Sequence, residues 1–377
     1  MRVMGVTILG AFSGLDDAVF KGLQRKNLLV GVKDGRLPDF QKLFLLLKSF
    51  RPNRHRWSKR WHGAMLKTTV AFQARTRRLD SVLRSQLSEF DVVLQASGLF
   101  APFRGDYPKP VCLLCDYTTK LAELNYPPWF GLSKDAARQW YSLETELYSR
   151  ASLIFATNEN ARQSFIQHYG IPPERVRVVG AGVDQVHEHP GKTYDEHTIL
   201  FVGIDFERKG GATLLKAFEQ VRKRVPQAKL LIAGPKPGAA QEGVEWLGHV
   251  GNRDRVNELF SGATVFAMAP VCDPFPGAIR EAMSHGLPVV ASRADAIGEM
   301  VQDGETGFLV PVGDAVTLAD RIVRLLLSPK LCNEMGEAGR NRVRERFLWS
   351  QVVDQTEAGL REASAISLDK VQAGTIC

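Results

Sequence analysis

The chain has 377 residues, 44% of them hydrophobic and 24% charged, a length that suits two ordinary domains better than one core. No run approaches the roughly 18 apolar residues needed to cross a bilayer, and the longest, Leu43–Leu47, stops at Lys48. The formal net charge of +8 is concentrated between Lys21 and Arg84, where seventeen Lys and Arg face three Asp (Asp34, Asp39 and Asp80), so the rest of the chain is net acidic.

In chain order, the opening "MRVMGVTILGAFSGLDD" has too short an apolar part for a secretion signal, and Asp16 and Asp17 follow without a clear cleavage site. Val3–Leu9 reads as a first strand closed by a tight turn carrying Gly10 and Gly14. The dinucleotide fingerprint G-x-G-x-x-G is absent. The basic stretch from Lys21 to Arg84 interleaves its charges with Phe40, Phe44, Phe50, Trp57, Trp61 and Phe72. Nucleic acid, an anionic membrane surface, an anionic substrate or a plain solvated face would each answer to it. Strands are expected at Val92–Gln95, Val111–Cys115, Ser152–Thr157 and Val176–Val179, with helices at Ala136–Ser149 and Asn160–Tyr169. Strands alternating with helices indicate a parallel sheet. Cys112 and Cys115 form a C-x-x-C that reads as two thiols on a buried strand rather than a metal or redox pair. Five scattered cysteines favour a reducing compartment.

The polar run "AGVDQVHEHPGKTYDEH" from Ala181 to His197 reads as a linker, its His187-x-His189 pair lacking a nearby third metal ligand. A second alternating series follows. Its strands are expected at Ile199–Val202, Lys229–Ala233, Val244–Leu247, Thr264–Met268, Pro288–Ala291 and Gly307–Val310. Its helices are expected at Leu214–Arg224, Arg253–Ser261, Gly277–His285 and Ala315–Leu327. Lys330–Ala363 reads as helical and Ala365–Cys377 as a disordered tail. The expected division is 1–184, 185–350 and a terminal helix and tail over 351–377.

Two stretches carry candidate chemistry. In "FVGIDFERKGG", Phe201–Gly211, a strand ends at Gly203 and a short loop presents Arg208 and Lys209 before a helix. Ligands of open α/β sheets bind at the carboxyl ends of strands, and two cations there suit a diphosphate. In "DPFPGAIREAMSHGLPVVAS", Asp273–Ser292, Asp273 lies in a loop and Glu281 about one turn into a helix that Gly286 and Pro288 end. Backbone amides of Gly277, Ala278 and Ile279 would meet an anion at that helix start. Carboxylates accept hydrogen bonds in pairs, which suits sugar and ribose hydroxyls. Read alone, Asp273 caps a turn and Glu281 faces solvent equally well.

Four ordered motifs together resemble the family 4 retaining glycosyltransferases of the GT-B fold. Besides the two stretches above, these are "LLIAG" at Leu230–Gly234 and "GEMVQDGETGFLV" at Gly298–Val310. The likeness covers Ile199 to Phe347; in the first half it is looser and rests on Ala156–Asp184. The resemblance implies two Rossmann-like doubly wound domains facing across a cleft. The first would serve the acceptor and the second a nucleotide-diphosphate sugar, with retention at the anomeric carbon and no metal or other cofactor. It gives Asp273 to the donor sugar, Glu281 to the ribose, and Lys209 with Arg208 to the leaving diphosphate. Gly203, Gly277, Ala278 and Ile279 would line the donor site. Asp116, and the Gly10–Gly14 turn, are candidates for the acceptor or donor from the first domain; where many members carry a His, this chain has Cys115 and Asp116. Three departures stand out: Asp273 replaces the family's Glu, Pro276 replaces a Gly, and Ile204 stands where an Arg often follows the first Gly.

The expected partners are a nucleotide sugar and a glycan or lipid-linked acceptor, in polysaccharide or glycolipid synthesis. An anionic membrane surface would meet Lys21–Arg84, and a nucleic-acid partner is disfavoured. The expected location is cytoplasmic, peripheral on the inner face of the membrane. The competing readings are an epimerase or phosphorylase of the same fold, and a non-enzymatic membrane- or nucleic-acid-binding protein.

Overall fold

The computed structural model describes residues 1–8, 14–37, 42, 47 and 67–372. Contacts divide the chain into two compact units, the first made of Met1–Val179 and Val352–Cys377 and the second of Gly180–Gln351.

In the first unit, β1 (Val3–Thr7) leads through α1 (Leu15–Arg25) to β2 (Leu29–Asp34), and α2 (Thr69–Arg84) leads to β3 (Val92–Ala96) and β4 (Val111–Cys115). Then come α3 (Thr119–Asn125), α4 (Pro127–Phe130), α5 (Lys134–Arg150), β5 (Leu153–Ala156), α6 (Glu159–Tyr169) and β6 (Val176–Val178). The strands form one parallel sheet ordered β2-β1-β3-β4-β5-β6. β1, β3 and β4 are buried on every residue, as expected when helices cover both faces of a parallel sheet.

The second unit repeats the plan. β7 (Thr198–Val202), α7 (Gly211–Arg224), β8 (Lys229–Ala233), β9 (Val244–Gly248), α8 (Arg253–Gly262) and β10 (Val265–Met268) are followed by α9 (Gly277–Ser284). β11 (Val289–Ser292), α10 (Ile297–Met300), β12 (Gly307–Val310), α11 (Ala315–Leu326) and α12 (Pro329–Arg346) complete it. Its parallel sheet is ordered β12-β11-β10-β7-β8-β9. The chain therefore leaves β7 toward β8 on one side and resumes at β10 on the other. That reversal makes the carboxyl ends of β7 and β10 a topological switch point, where such sheets bind ligands.

Several expectations need correction. Leu29–Asp34 is a strand hidden within the basic stretch, where alternating Val and polar residues are masked by neighbouring charge. Lys330–Ala363 is helical as expected, with a break after Arg346 before α13 (Trp349–Gln372) begins. The tail expected to be disordered is helical to Gln372, because Ala, Ser, Leu and Lys continue a helix already started. Residues of α13 from Val352 onward belong to the first unit; Val352, Val353 and Leu360 are buried there. Lys26 on α1 pairs with Asp354 at 2.5 Å and Glu357 at 2.7 Å. The Ala181–His197 run belongs to the second unit, with Val183 and Tyr194 in its core. Among the described residues no helix is long and apolar enough to cross a membrane.

Gly210 fixes how the second sheet presents its loops. It precedes α7 with φ +75°, and a Cβ there would overlap the carbonyl of Ala269, just after β10. Positive φ and a backbone-to-backbone approach both require glycine. Gly210→Ala should therefore destabilise the second unit by about 2–4 kcal/mol, read as a lower melting temperature. Melting like that of the unaltered protein would contradict this account of the close approach.

Candidate functional site

The loops after β7 and β10 meet through side chains. Asp273 is 6% exposed, and its Oδ2 accepts from Lys209 Nζ at 2.7 Å and from Arg208 at 3.1 Å. Arg208 also donates to the Cys272 carbonyl at 2.8 Å and to Asp205 Oδ2 at 3.0 Å. The backbone adds a tie, the Val271 amide donating to the Arg208 carbonyl at 2.8 Å. Lys209 reaches Asp273 by lying across Gly203, where any Cβ would collide with its Cδ. A charge is buried at low cost only when paired and hydrogen-bonded, and here two cations share one carboxylate. The reading of Asp273 as a mere turn cap is thereby displaced. Ile204, standing where the resemblance looked for an Arg, is 73% exposed.

On α9, Pro276 precedes the helix. The first-turn amides of Gly277 and Ala278 have no intrahelical acceptor. The expectation for Ile279 needs correction: its amide already donates to the Pro276 carbonyl at 3.3 Å, because the first turn tightens there, and its side chain is fully buried. Glu281 is not a solvent-facing residue, its side chain being 24% exposed and its Oε1 accepting from Arg253 at 2.7 Å. Arg280, buried beneath, donates to the Phe275 carbonyl at 2.9 Å and lies 4.6 Å over the Phe275 ring. Burial pushes its guanidinium down to about 10, against the pull of Glu281 and Asp273. So Arg208, Lys209, Asp273 and Gly203 come together, and Glu281, Gly277 and Ala278 lie on the helix that follows the same loop.

The remaining candidates belong to the first unit. Asp116 follows β4 and is half-buried. Gly14 precedes α1 with φ +83°, and Thr7, at the end of β1, donates to Asp16 on α1 at 2.6 Å. Gly10 lies outside the described residues, as do 38–41, 43–46 and 48–66 of the basic stretch. Of its described members, Lys21, Lys26, Arg36 and Arg84 each pair with an acid. Cys112 and Cys115 are free and buried. Three residues apart on β4, they face opposite sides of the sheet, and burial pushes the Cys112 thiol up to about 12.

Three groups escaped the sequence reading. Asp295, after β11, accepts from the Asp273 amide at 2.8 Å. Glu144 on α5 is buried and accepts from Thr119 at 2.6 Å and Tyr169 at 2.5 Å, with desolvation raising its pKa. Its place in the apolar stripe Ala137–Trp140–Leu147–Tyr148 was the available signal. The third is His285, which makes the His187–His189 pair a cluster. His187 stacks on it with ring centroids 3.9 Å apart, and His189 Nε2 lies 3.0 Å from its Nδ1. Stacked rings do not aim three lone pairs at one point, and no group of three His, Cys, Asp or Glu able to hold a metal occurs among the described residues.

Residues 196–328 match the family model Glycosyl transferases group 1, and residues 49–186 match Glycosyltransferase Family 4. An alpha-maltose-1-phosphate synthase of Mycolicibacterium smegmatis is 28% identical over 59% of this chain and 66% of its own length. A phosphatidyl-myo-inositol mannosyltransferase of Mycobacterium leprae is 35% identical over 51% of this chain and 54% of its own length. The chain thus spans between about half and two thirds of these relatives. Among solved structures, sucrose-phosphate synthase from Thermosynechococcus elongatus aligns with TM-score 0.70 at 16% identity, covering 97% of this chain and all of that one. Anabaena Alr3699/HepE in complex with UDP aligns with TM-score 0.67 at 16% identity, over 96% of this chain and all of that one. These are GT-B neighbours, and at this identity the likeness concerns the fold alone.

Burial lowers the His285 pKa to about 3 and, less far, those of His187 and His189. The unfolded chain protonates these rings near the ordinary value of about 6.5, so unfolding takes up protons below it. Their contribution to stability is full above about pH 6.5 and is lost as pH falls toward 3. His285→Phe removes one proton acceptor while keeping a flat ring beside Phe260. Its melting temperature should fall less between pH 7.5 and 5.5 than that of the unaltered protein; an equal or larger fall would contradict this.

Proposed function

This chain belongs to glycosyltransferase family 4, the group 1 glycosyl transferases, and from that premise we propose that it moves a sugar from a nucleotide-diphosphate sugar to a glycan or lipid-linked acceptor with retention of anomeric configuration. The observation that carries the reading is the meeting of Arg208, Lys209 and Asp273 at the switch point of the second sheet. The UDP complex of the solved neighbour and the mannosyltransferase relatives favour a sugar-nucleotide donor.

In the proposed reaction the bond between the anomeric carbon and the diphosphate oxygen breaks. The acceptor oxygen bonds to that carbon on the same face, and its proton passes to the departing phosphate oxygen, so no protein base is required. Negative charge develops on the diphosphate, and Lys209 and Arg208 offset it. Both are already held by Asp273 and Asp205, so little reorganisation is needed when the donor arrives. Asp273 accepts from donor-sugar hydroxyls and Glu281 from the ribose. The amides of Gly277 and Ala278, at the positive end of α9, take the diphosphate, and Gly203 leaves the room that Lys209 occupies. Asp116 and the Gly10–Gly14 turn are assigned to the acceptor or the donor from the first unit. Charge stabilisation by these cations leaves no step that calls for a metal.

The deciding experiment is a panel of nucleotide-diphosphate sugars, followed by thermal shift and by release of nucleoside diphosphate with glycan and lipid-linked acceptors. One donor should raise the melting temperature selectively and be consumed, with the product anomer matching the donor by NMR. No shift and no release with any donor overturns the reading; conversion of the donor to its epimer without acceptor points to the epimerase alternative. With the active donor, Lys209→Ala should lower kcat by about 100- to 1,000-fold, in line with loss of one charge-stabilising donor. Arg208→Ala should lower it by about tenfold or more, and unchanged turnover and donor affinity would remove Arg208 from the site.

The proposed setting is the cytoplasmic face of a membrane, reached through Lys21–Arg84. Since several of its described cations are paired with acids, the attraction would come mainly from the 48–66 segment. The protein should float with anionic vesicles at low salt and less at high salt; equal recovery with neutral vesicles would refute docking by charge.

A further inference from the structure

Asp295 adopts φ +43° between β11 and α10. A non-glycine residue in the left-handed region carries a cost of about 1–2 kcal/mol, and such strain persists where the surroundings impose it, often near functional sites. Glycine would make this turn without cost, so the turn alone does not explain an aspartate. Its carboxylate does something glycine cannot: Oδ2 accepts the Asp273 amide at 2.8 Å.

The rest of the Asp273 loop is held in the same manner. Ser292, at the end of β11, donates to the Pro270 carbonyl at 2.5 Å, Arg208 to that of Cys272 at 2.8 Å, and Arg280 to that of Phe275 at 2.9 Å. Side chains from the β7–α7 loop, from the end of β11 and the loop after it, and from α9 thus hold the peptide groups of residues 270, 272, 273 and 275. Arg208 and Lys209 hold the Asp273 carboxylate, while Asp295 fixes the backbone from which that short side chain projects. An aspartate has one methylene fewer than a glutamate with which to correct an error in backbone placement. Transfer reactions lose rate steeply when a group is displaced by as little as about 1 Å.

We propose that Asp295 is a positioning residue that sets the reach of Asp273 toward the donor sugar, and that it does not itself bind the nucleoside diphosphate. This rests on the reading of the second unit as a sugar-nucleotide site. It goes beyond that reading in assigning sugar placement to the loop after β11.

The test compares Asp295→Gly, which keeps the turn and removes the acceptor, with Asp295→Asn, which keeps an acceptor and tolerates left-handed backbone. In ligand-free protein, hydrogen exchange across residues 270–276 should quicken in the glycine variant and stay protected in the asparagine variant. With the donor found active, Asp295→Gly should lower kcat/KM for sugar transfer about ten- to a hundredfold, while the Kd for the bare nucleoside diphosphate changes less than about twofold. Asp295→Asn should recover most of the loss. Unchanged transfer in the glycine variant overturns the proposal. So does an equal loss of transfer and nucleoside diphosphate binding, which would mark general disruption. If the unaltered protein consumes no donor, the sugar-transfer reading fails on its own. The exchange measurement then still judges the Asp295 tie, and unaltered exchange in the glycine variant overturns it.

Discussion

Asp273 sits almost out of water, and a buried carboxylate is costly unless charge and hydrogen bonds meet it together. Two cations from the β7–α7 loop meet this need, while the Asp295 carboxylate, from the loop after β11, accepts the Asp273 amide and holds the backbone beneath it. Removing one partner weakens the rest, since without Lys209 the carboxylate keeps Arg208 alone of these two cations, and without Asp273 the Arg208 guanidinium keeps Asp205. Three loops that share no sequence proximity are consequently held to one geometry. The glycine contacts serve the same end. Gly203 gives Lys209 a path across the end of β7, and Gly210 lets the next turn lie against the backbone after β10.

The sheet order explains why this network forms where it does. A strand order that reverses beside β7 sends the helices following β7 and β10 to opposite faces. The ends of these adjacent strands are left open rather than roofed by a shared connection. The same reversal occurs in the first sheet between β1 and β3. The family relation adds a chemical meaning to geometry that topology and charge had already singled out.

Much of the second unit was legible because its elements are strongly patterned: Lys229–Ala233 and Gly307–Val310 are apolar runs bounded by turns, and their expected limits match the strands. The neighbourhood of Asp273 was legible only in part. Arg208 and Lys209 stood out because paired cations after a strand are chemically conspicuous. Asp295 did not, because an aspartate in a loop reads as a solvated turn until a distant amide is seen to donate to it. His285 was hidden for a similar reason. It lies 96 residues beyond its partner His189, and linear reading of the Ala181–His197 run pointed to a linker because that run lacks periodicity. In the first unit, β2 was lost inside the basic stretch, since net charge and strand pattern compete for the same residues. Glu144 was hidden as one acid among several on an amphipathic helix, although its phase on that helix was apolar.

Helix α13 carries a consequence for how the molecule is made. The first unit is discontinuous in sequence: Val353 packs on the helix surface at Gly22, Gly359 lies against Phe155, and Leu360 is buried. On a ribosome, the first sheet emerges well before the helix that covers part of it, and an entire second unit is synthesised in between. The order of emergence is thus opposite to the order of completion, since Gly180–Gln351 can close its core while the earlier residues still await their last helix. During that interval apolar surface around α1 and β5 stays open to water, to chaperones and to neighbouring nascent chains.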